Sequence, residues 1–305
     1  MKEKIVLFLK GIAMGAADVV PGVSGGTIAF ITGIYDELLG SINAVNLNTL
    51  TILRKEGIKA AWKAVNGNFL VVLLSGIFVS ILSLANLFKY LLENHPVLLW
   101  SFFFGLIAAS VLLVGRMIAH WNTVNVIGFI AGTAVSYWLT TVNPSNGLEA
   151  YWYIFVSGMI AICAMILPGI SGSFILLLLG TYGVVLGAIA DHNFILLAIF
   201  GAGCVVGLLS FSRLLSWTLK NYYNVTIAVL AGFLLGSLNK IWPWKETIAT
   251  RINSHGEEVP FLQENILPMH YQPDPQLAAA IGLALLGVAL IFFLSRFNPP
   301  EKSNA

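Results

Sequence analysis

Residues 21–26 read PGVSGG, and residues 168–173 read PGISGS, 147 residues later in a chain of 305. Further glycines and tyrosines around the two phrases recur at the same offset. Two halves that each carry one Pro- and Gly-rich break within apolar sequence are typical of membrane transporters built from internal repeats. We therefore predict one integral membrane domain made of two repeats, residues 1–147 and residues 148–305.

The composition supports a membrane protein. Apolar residues make up 58% of the chain and charged residues 10%, whereas a soluble domain has about 25% charged residues. Several uncharged runs reach the roughly 20 residues that a helix needs to cross a bilayer. We predict an all-α polytopic membrane protein in which each repeat has a broken hairpin, either re-entrant or spanning, and three spanning helices. The predicted spans are residues 68–90, 96–116, 123–141, 193–215, 222–239 and 275–296.

The positive charges predict the orientation. With both termini on the cytoplasmic side, four of the 16 Lys and Arg residues fall outside: Lys89, Lys240, Lys245 and Arg251. The opposite orientation would reverse this bias and violate the positive-inside rule. Each half then crosses the membrane an odd number of times, so the two breaks enter from opposite faces and the repeats are inverted. Residues 54–63 are predicted to form an amphipathic cytoplasmic helix, and residues 240–274 a polar extracytoplasmic loop.

The chemistry of the break follows from its residue types. Pro21 has no N–H group and disfavours helix in the residue before it, so one helix should end near Val20 and another should begin near Ser24. Unpaired N–H groups at a new helix start favour anions. Two such ends that converge would form an anion site near the bilayer midplane. The candidate binding residues are Gly22, Val23, Ser24, Gly25, Gly26 and Thr27 in the first break, and Gly169, Ile170, Ser171, Gly172 and Ser173 in the second.

Five charged residues near the apolar runs are further candidates. Lys10, Arg116 and Arg213 could add positive charge for a phosphate, or could extend to the membrane surface instead. Asp18 lies three residues before Pro21, and intramembrane acids are functional candidates by default. Asp18 and Glu37 are the candidates for proton coupling. The alternatives are a structural, capped carboxylate for Asp18 and a solvated helix end for Glu37.

Other classes of function find little support in the sequence. The GxSG pattern within each break resembles the serine motif of rhomboid-type intramembrane proteases, but the five histidines all lie at span ends or in loops, away from a nucleophile. CxxC, HExxH and Walker motifs are absent from the sequence. We therefore predict no enzyme activity, no cofactor, no bound metal and no nucleic-acid partner.

Two longer stretches resemble a known family. Residues 11–39, GIAMGAADVVPGVSGGTIAFITGIYDELL, and residues 166–182, ILPGISGSFILLLLGTY, are similar to the paired motifs of bacterial polyprenyl-phosphate transporters. The resemblance covers essentially the whole chain, and the two copies differ where Ser173 stands in place of Gly26. It implies translocation of undecaprenyl phosphate across the bacterial cytoplasmic membrane, where the recycled lipid carrier serves envelope biogenesis.

Two alternatives stay open beside that resemblance. One is a small-anion transporter or channel that uses the same helix ends, and the other is a structural membrane subunit. The sequence also leaves the formation of homo-oligomers open.

Overall fold

The fold was analysed in a computed structural model, which describes residues 2–20, 22–145, 147–148, 150–252, 258–272 and 274–297. Pro21 and Lys302 therefore lie outside the described residues, as do residues 253–257. The described chain consists of fourteen helices, a short 3₁₀ turn at Pro268–His270 and one β-hairpin.

The helices of the first half come before Asn146. They are α1 (Lys2–Val19), α2 (Gly25–Ile31), α3 (Tyr35–Asn43), α4 (Leu47–Glu56), α5 (Ile58–Ala64), α6 (Gly67–Asn94), α7 (Pro96–Gly115) and α8 (Thr123–Thr141). The second half contains α9 (Tyr151–Ile166), α10 (Gly172–Leu178), α11 (Tyr182–Ala190), α12 (Phe194–Asn221), α13 (Tyr223–Ser237), β1 (Lys245–Ile252), β2 (Glu258–Asn265) and α14 (Leu277–Phe297). Strands β1 and β2 pair antiparallel.

Five helices of the described chain are long and apolar enough to cross a membrane: α6, α7, α8, α12 and α14. Helices α10 and α11 could form a sixth span, but they are bent by 106°. Large apolar side chains point outward on these helices; Phe78, Ile130 and Leu285 are each about 60% exposed. Such faces suit a hydrocarbon solvent rather than water. The prediction of a multi-pass, nearly all-helical membrane protein is confirmed.

Both breaks lie where the sequence predicts them. Helix α1 ends one residue before Val20, and α2 begins directly after Ser24. In the second half, α9 ends and α10 begins at positions 147 residues later. Gly22 and Gly169 adopt φ angles of +87° and +89°, a region that favours glycine because it has no Cβ. The repeated glycines therefore meet a repeated backbone requirement.

The packing of the helices repeats as well. Helix α1 packs against α6, and its counterpart α9 packs against α12. Helix α7 packs against α14, while α13, the counterpart of α7, packs against α8. The element order and the helix pairs thus recur in the two halves, with α4, α5 and the β-hairpin as insertions.

Two segments differ from the sequence-based expectation. The basic segment 54–63 belongs to two helices instead of one, because Gly57 adopts a φ of +84° between α4 and α5 and ends the first. The predicted polar loop 240–274 contains the β-hairpin, which the sequence analysis did not anticipate. Its residues nearest to α13 pack back against the membrane helices, and this brings Lys240 close to both breaks.

Candidate functional site

The two breaks contact each other directly. Ser24 is fully buried, and its Oγ donates hydrogen bonds to the carbonyl oxygens of Met165 and Leu167, at 3.0 and 3.2 Å. The hydroxyl of Tyr35 donates to the carbonyl of Ile166 at 3.1 Å. The last carbonyls of a helix have no partner within that helix. Side chains of the first break therefore satisfy the open end of α9, which leads into the second break.

The contact runs in both directions. The backbone N–H of Gly169 donates to Thr27 Oγ1 at 3.0 Å. A Cβ atom on Gly26 would lie 2.5 Å from the carbonyl oxygen of Ile166, so only glycine permits this close approach. The apolar side chain of Val23 is fully buried in the same core. The two breaks thus form one packed junction rather than two separate helix ends.

Donors of the first break already have acceptors within the chain. The N–H of Gly25 donates to the Asp18 carboxylate at 2.7 Å, and the N–H of Gly26 donates to Ser24 Oγ at 3.1 Å. Ser24 is thus the N-cap that the sequence predicts. Thr27 N–H bonds to the carbonyl of Ser24. The N–H groups of Gly25, Gly26 and Thr27, which were proposed as phosphate donors, are therefore occupied in this structure, because buried N–H groups need partners.

The second break is arranged differently. Ser171 precedes α10 without capping it, and its Oγ lies 2.8 Å from Ser173 Oγ. The repeat mate of Ser173 is Gly26, so this pair of hydroxyls is specific to the second half. A Cβ atom on Gly172 would lie 2.7 Å from the carbonyl oxygen of Ala161, and one on Gly25 would lie 2.4 Å from the Asp18 carboxylate. Substitutions at these glycines would therefore disturb packing as well as any ligand contact.

A narrow cleft opens beside the junction. It lies between the breaks, the end of α8 and the turn after α13, and it is lined by Gly22, Ser136, Leu139, Thr140, Gly169, Ile170, Ser171, Phe174, Ser237 and Lys240. Its interior has room for about one water molecule. Four hydroxyl groups and one amine line the cleft, although most of its surface is apolar, as in the surrounding core. A larger ligand would need the cleft to widen.

Lys240 supplies the positive charge of the cleft. Its Nζ lies 4.7 Å from the centre of the Phe174 ring, and its Cγ lies 3.0 Å from the position that a Cβ of Gly22 would occupy. The side chain therefore bridges both breaks. From the sequence, Lys240 is predicted to be a charge of the loop 240–274. This contact is not predictable from the sequence, because Lys240 is far from both breaks along the chain.

A second lysine, Lys245, lies next to Lys240. Lys245 Nζ donates to the carbonyl oxygen of Lys240 at 2.6 Å and lies 3.9 Å from the centre of the Trp100 ring. Burial lowers the pKa of the Lys240 amine, and burial together with the neighbouring Lys240 charge lowers the pKa of Lys245 well below its usual value. Among the described residues neither lysine forms a salt bridge. The two positive charges would repel each other. A bound anion would offset that repulsion and favour the charged forms of Lys240 and Lys245.

The three predicted cations lie elsewhere. Lys10 Nζ donates to the carbonyl oxygen of Thr32 at 2.7 Å, beyond the far end of α2. Arg116 is exposed, with its guanidinium 5.9 Å from the centre of the Phe292 ring. Arg213 is exposed on α12. None of them lines the cleft, so their roles in binding stay predictions.

The two predicted proton-coupling residues have different surroundings. Asp18 is half-buried at the end of α1 and accepts the Gly25 N–H. Glu37 is exposed in the first turn of α3, where its Oε1 accepts a hydrogen bond from Asn66 Nδ2 at 2.8 Å. Asp18 is thus joined to the junction, whereas Glu37 is part of a helix surface. Neither coupling role is tested by these contacts.

These features define a class: a multi-pass helical membrane protein whose two broken segments meet beside a narrow cleft that contains one lysine. Residues 14–259 match the model of the undecaprenyl phosphate translocase-like family, and the chain belongs to that family. It is 51% identical over 295 residues to a polyprenyl-phosphate transporter of Vibrio cholerae serotype O1, covering 95% of this chain and 96% of that one. It is 35% identical over 259 residues to a polyprenyl-phosphate transporter of Staphylococcus aureus, covering 79% of this chain and 87% of that one. No solved structure gave a significant match.

Proposed function

We propose that this protein moves polyprenyl phosphate across the bacterial cytoplasmic membrane by holding the phosphate in the cleft. The observation that carries the proposal is Lys240, an amine without a carboxylate partner among the described residues, placed against both breaks. An unpaired charge away from water is costly, so such an amine favours an anionic ligand. The family membership and the names of the two relatives support the choice of lipid.

The cleft serves the headgroup, and the isoprenoid chain stays in or beside the bilayer. A bare phosphate cannot cross hydrocarbon at a reasonable cost, so the protein supplies the polar path. Ser171, Thr140 and Ser136 offer hydroxyl groups along that path. Since the interior is too narrow for a phosphate as it stands, passage requires the two halves to move apart at the junction. The hydrogen bonds of Ser24 and Tyr35 to the α9 carbonyls would break and re-form in each cycle.

The two halves, residues 1–147 and 148–305, act as inverted repeats in this proposal. Its support is the exchange of partners between the halves, with α7 on α14 and α13 on α8. Inverted repeats allow one site to face either side of the membrane by rocking of one half against the other. Both termini lie in the cytoplasm, as the distribution of Lys and Arg indicates. The lysine cleft then lies toward the extracytoplasmic ends of α8 and α13.

The surroundings of Ser24 and Ser171 favour transport over catalysis. The Ser24 hydroxyl donates to two carbonyl oxygens, and the Ser171 hydroxyl pairs with Ser173. A nucleophilic serine needs a base within hydrogen-bond reach, and neither contact supplies one. We therefore assign both serines to the junction and to ligand binding.

The orientation predicts a labelling pattern. In a background with Cys163 and Cys204 replaced by serine, Met269→Cys should react with a membrane-impermeant maleimide added to intact cells, because this 78%-exposed residue follows the hairpin. Lys59→Cys, which is exposed on α5, should react only after permeabilisation. Labelling of Lys59→Cys in intact cells, with Met269→Cys protected, would reverse the orientation.

Binding of the purified protein tests the proposed ligand. We expect a polyprenyl phosphate to bind at least about 30-fold more tightly than the matching polyprenol, because a charge-assisted contact contributes roughly 2 kcal/mol. Native mass spectrometry in detergent measures both ligands under one set of conditions. Equal binding of phosphate and alcohol would show that the headgroup is not recognised and would remove the basis of the proposal.

A further inference from the structure

A second, apolar cavity lies close to the cleft. It is a groove of about 480 Å³ beside the middle of α7 and the C-terminal parts of α8 and α13, roofed by the residues that follow β2. Phe104, Tyr137, Leu235, Trp242, Ile266 and Leu267 line it. Its volume lies within the roughly 300–1,000 Å³ of small-molecule sites, and such sites are mostly apolar.

The groove and the cleft share their walls. On α8, Tyr137 lines the groove and the adjacent Ser136 lines the cleft. In the turn after α13, Asn239 lines the groove and Lys240 the cleft. Asn239 Nδ2 donates to Thr140 Oγ1 at 2.7 Å, so one hydrogen bond joins a residue of the groove to a residue of the cleft. A ligand with a polar end and an apolar remainder could therefore occupy both.

The groove is also accessible from the lipid side. Tyr137 is 53% exposed, and its neighbours Ile130 and Trp138 belong to the outward apolar face of α8. Leu267 in the roof is 54% exposed. The roof is held by the Trp242 side chain, whose Nε1 donates to the carbonyl oxygen of Ile266 at 2.9 Å. An apolar chain could thus pass from the bilayer into the groove without crossing water.

We propose that this groove binds the isoprene units next to the phosphate while the phosphate occupies the lysine cleft. The inference rests on the proposed function and adds the site that recognises the isoprenoid chain of the lipid. The shared walls favour one amphiphilic ligand over a separate protein partner. The Asn239–Thr140 hydrogen bond lies at the boundary, where the headgroup joins the chain. The protein therefore distinguishes prenyl phosphates from inorganic phosphate by an apolar site as well as by charge.

Chain-length dependence of binding tests the groove. The variant is Leu267→Gln, which makes the roof polar at a half-exposed position and should leave the fold intact. We expect its affinity for a long-chain polyprenyl phosphate to fall roughly five- to tenfold, because the chain loses apolar contact with the roof. The affinity for a five-carbon prenyl phosphate should fall less, because only one isoprene unit would lie in the groove. Met269→Gln, two residues away and outside the groove, is the matched control and should bind both ligands as the parent does.

A photoreactive ligand gives a second, direct measurement. A polyprenyl phosphate with a diazirine in the isoprene unit nearest to the phosphate should label peptides that contain Tyr137, Trp242 or Leu267. If Leu267→Gln keeps the parent's chain-length dependence and the label falls on other helices, the groove is not the chain site, while the proposed function stands. If neither the long nor the short prenyl phosphate binds the parent protein, both the groove and the proposed function are wrong.

Discussion

Replacing Lys240 with methionine should lower the affinity for polyprenyl phosphate roughly 30-fold and reduce its transport accordingly. Methionine keeps the unbranched chain that packs against Phe174 and Gly22, so the main change is the loss of the charge. A hydrogen bond to a charged group contributes about 1.5–3 kcal/mol, and 1.4 kcal/mol is a tenfold change in affinity. Binding and vesicle transport of the same preparation measure both effects.

The control for this variant is Lys89→Met. Lys89 pairs with Glu93 on the exposed end of α6, 3.8 Å apart, and lies outside the cleft. We expect this control to bind and transport normally, since exposed ion pairs contribute little. If Lys240→Met behaves like Lys89→Met, the phosphate does not bind in this cleft.

The role of Lys240 predicts the direction in which the affinity for polyprenyl phosphate changes with pH. Because burial lowers the pKa of the Lys240 amine, this group loses its proton at a lower pH than an exposed lysine. The charged form binds phosphate, so affinity should fall as the pH rises through that lowered pKa. Lys240→Arg should extend binding to higher pH, because arginine stays charged. An identical pH profile in the two proteins would contradict this assignment.

Replacing Asp18 with asparagine should keep lipid binding and abolish net transport if this carboxylate couples transport to protons. The amide oxygen can still accept the Gly25 N–H, so the first turn of α2 keeps a cap. The variant cannot change its protonation state, so any residual transport should respond little to pH. Transport in proteoliposomes across imposed pH gradients is the measurement.

Glu37→Gln is the matched control for Asp18→Asn. Glu37 is exposed and bonds to Asn66 away from the junction, and the glutamine oxygen can keep that bond. We expect Glu37→Gln to transport with the parent's pH profile if Asp18 alone carries the coupling. An unchanged profile in Asp18→Asn would make Asp18 structural. Loss of lipid binding in Asp18→Asn would show instead that the carboxylate holds the junction in its binding-competent shape.

The local features of this fold were predictable from sequence. The helix breaks near Val20 and Leu167, the Ser24 cap and most span boundaries follow from proline, glycine and run length, which act on neighbouring residues. Symmetry of the two phrases also predicted that the breaks would converge. Local residue patterns and an internal repeat can both be recognised in a single sequence.

The contacts within the junction were not predictable. Ser24 bonds to carbonyls more than 140 positions away, and no local pattern indicates which acceptor a serine will find. The N–H of Gly25 was expected to face a ligand, but Asp18 reaches it because α1 and α2 fold back on each other. Lys240 was placed in a loop by its position after an apolar run. Its turn packs inward, because the adjacent Ile241 is fully buried in the main core, and a hydropathy profile does not show tertiary packing of this kind.

Lipid translocation in vesicles that contain only this protein tests the central claim most directly. Polyprenyl phosphate is placed in the inner leaflet together with inorganic phosphate in the lumen, and an external phosphatase measures the lipid that reaches the outer leaflet. We predict that vesicles with the parent protein expose the lipid and retain the inorganic phosphate, whereas vesicles with Lys240→Met expose little lipid. Release of inorganic phosphate without movement of the lipid would contradict the account and indicate a small-anion transporter instead.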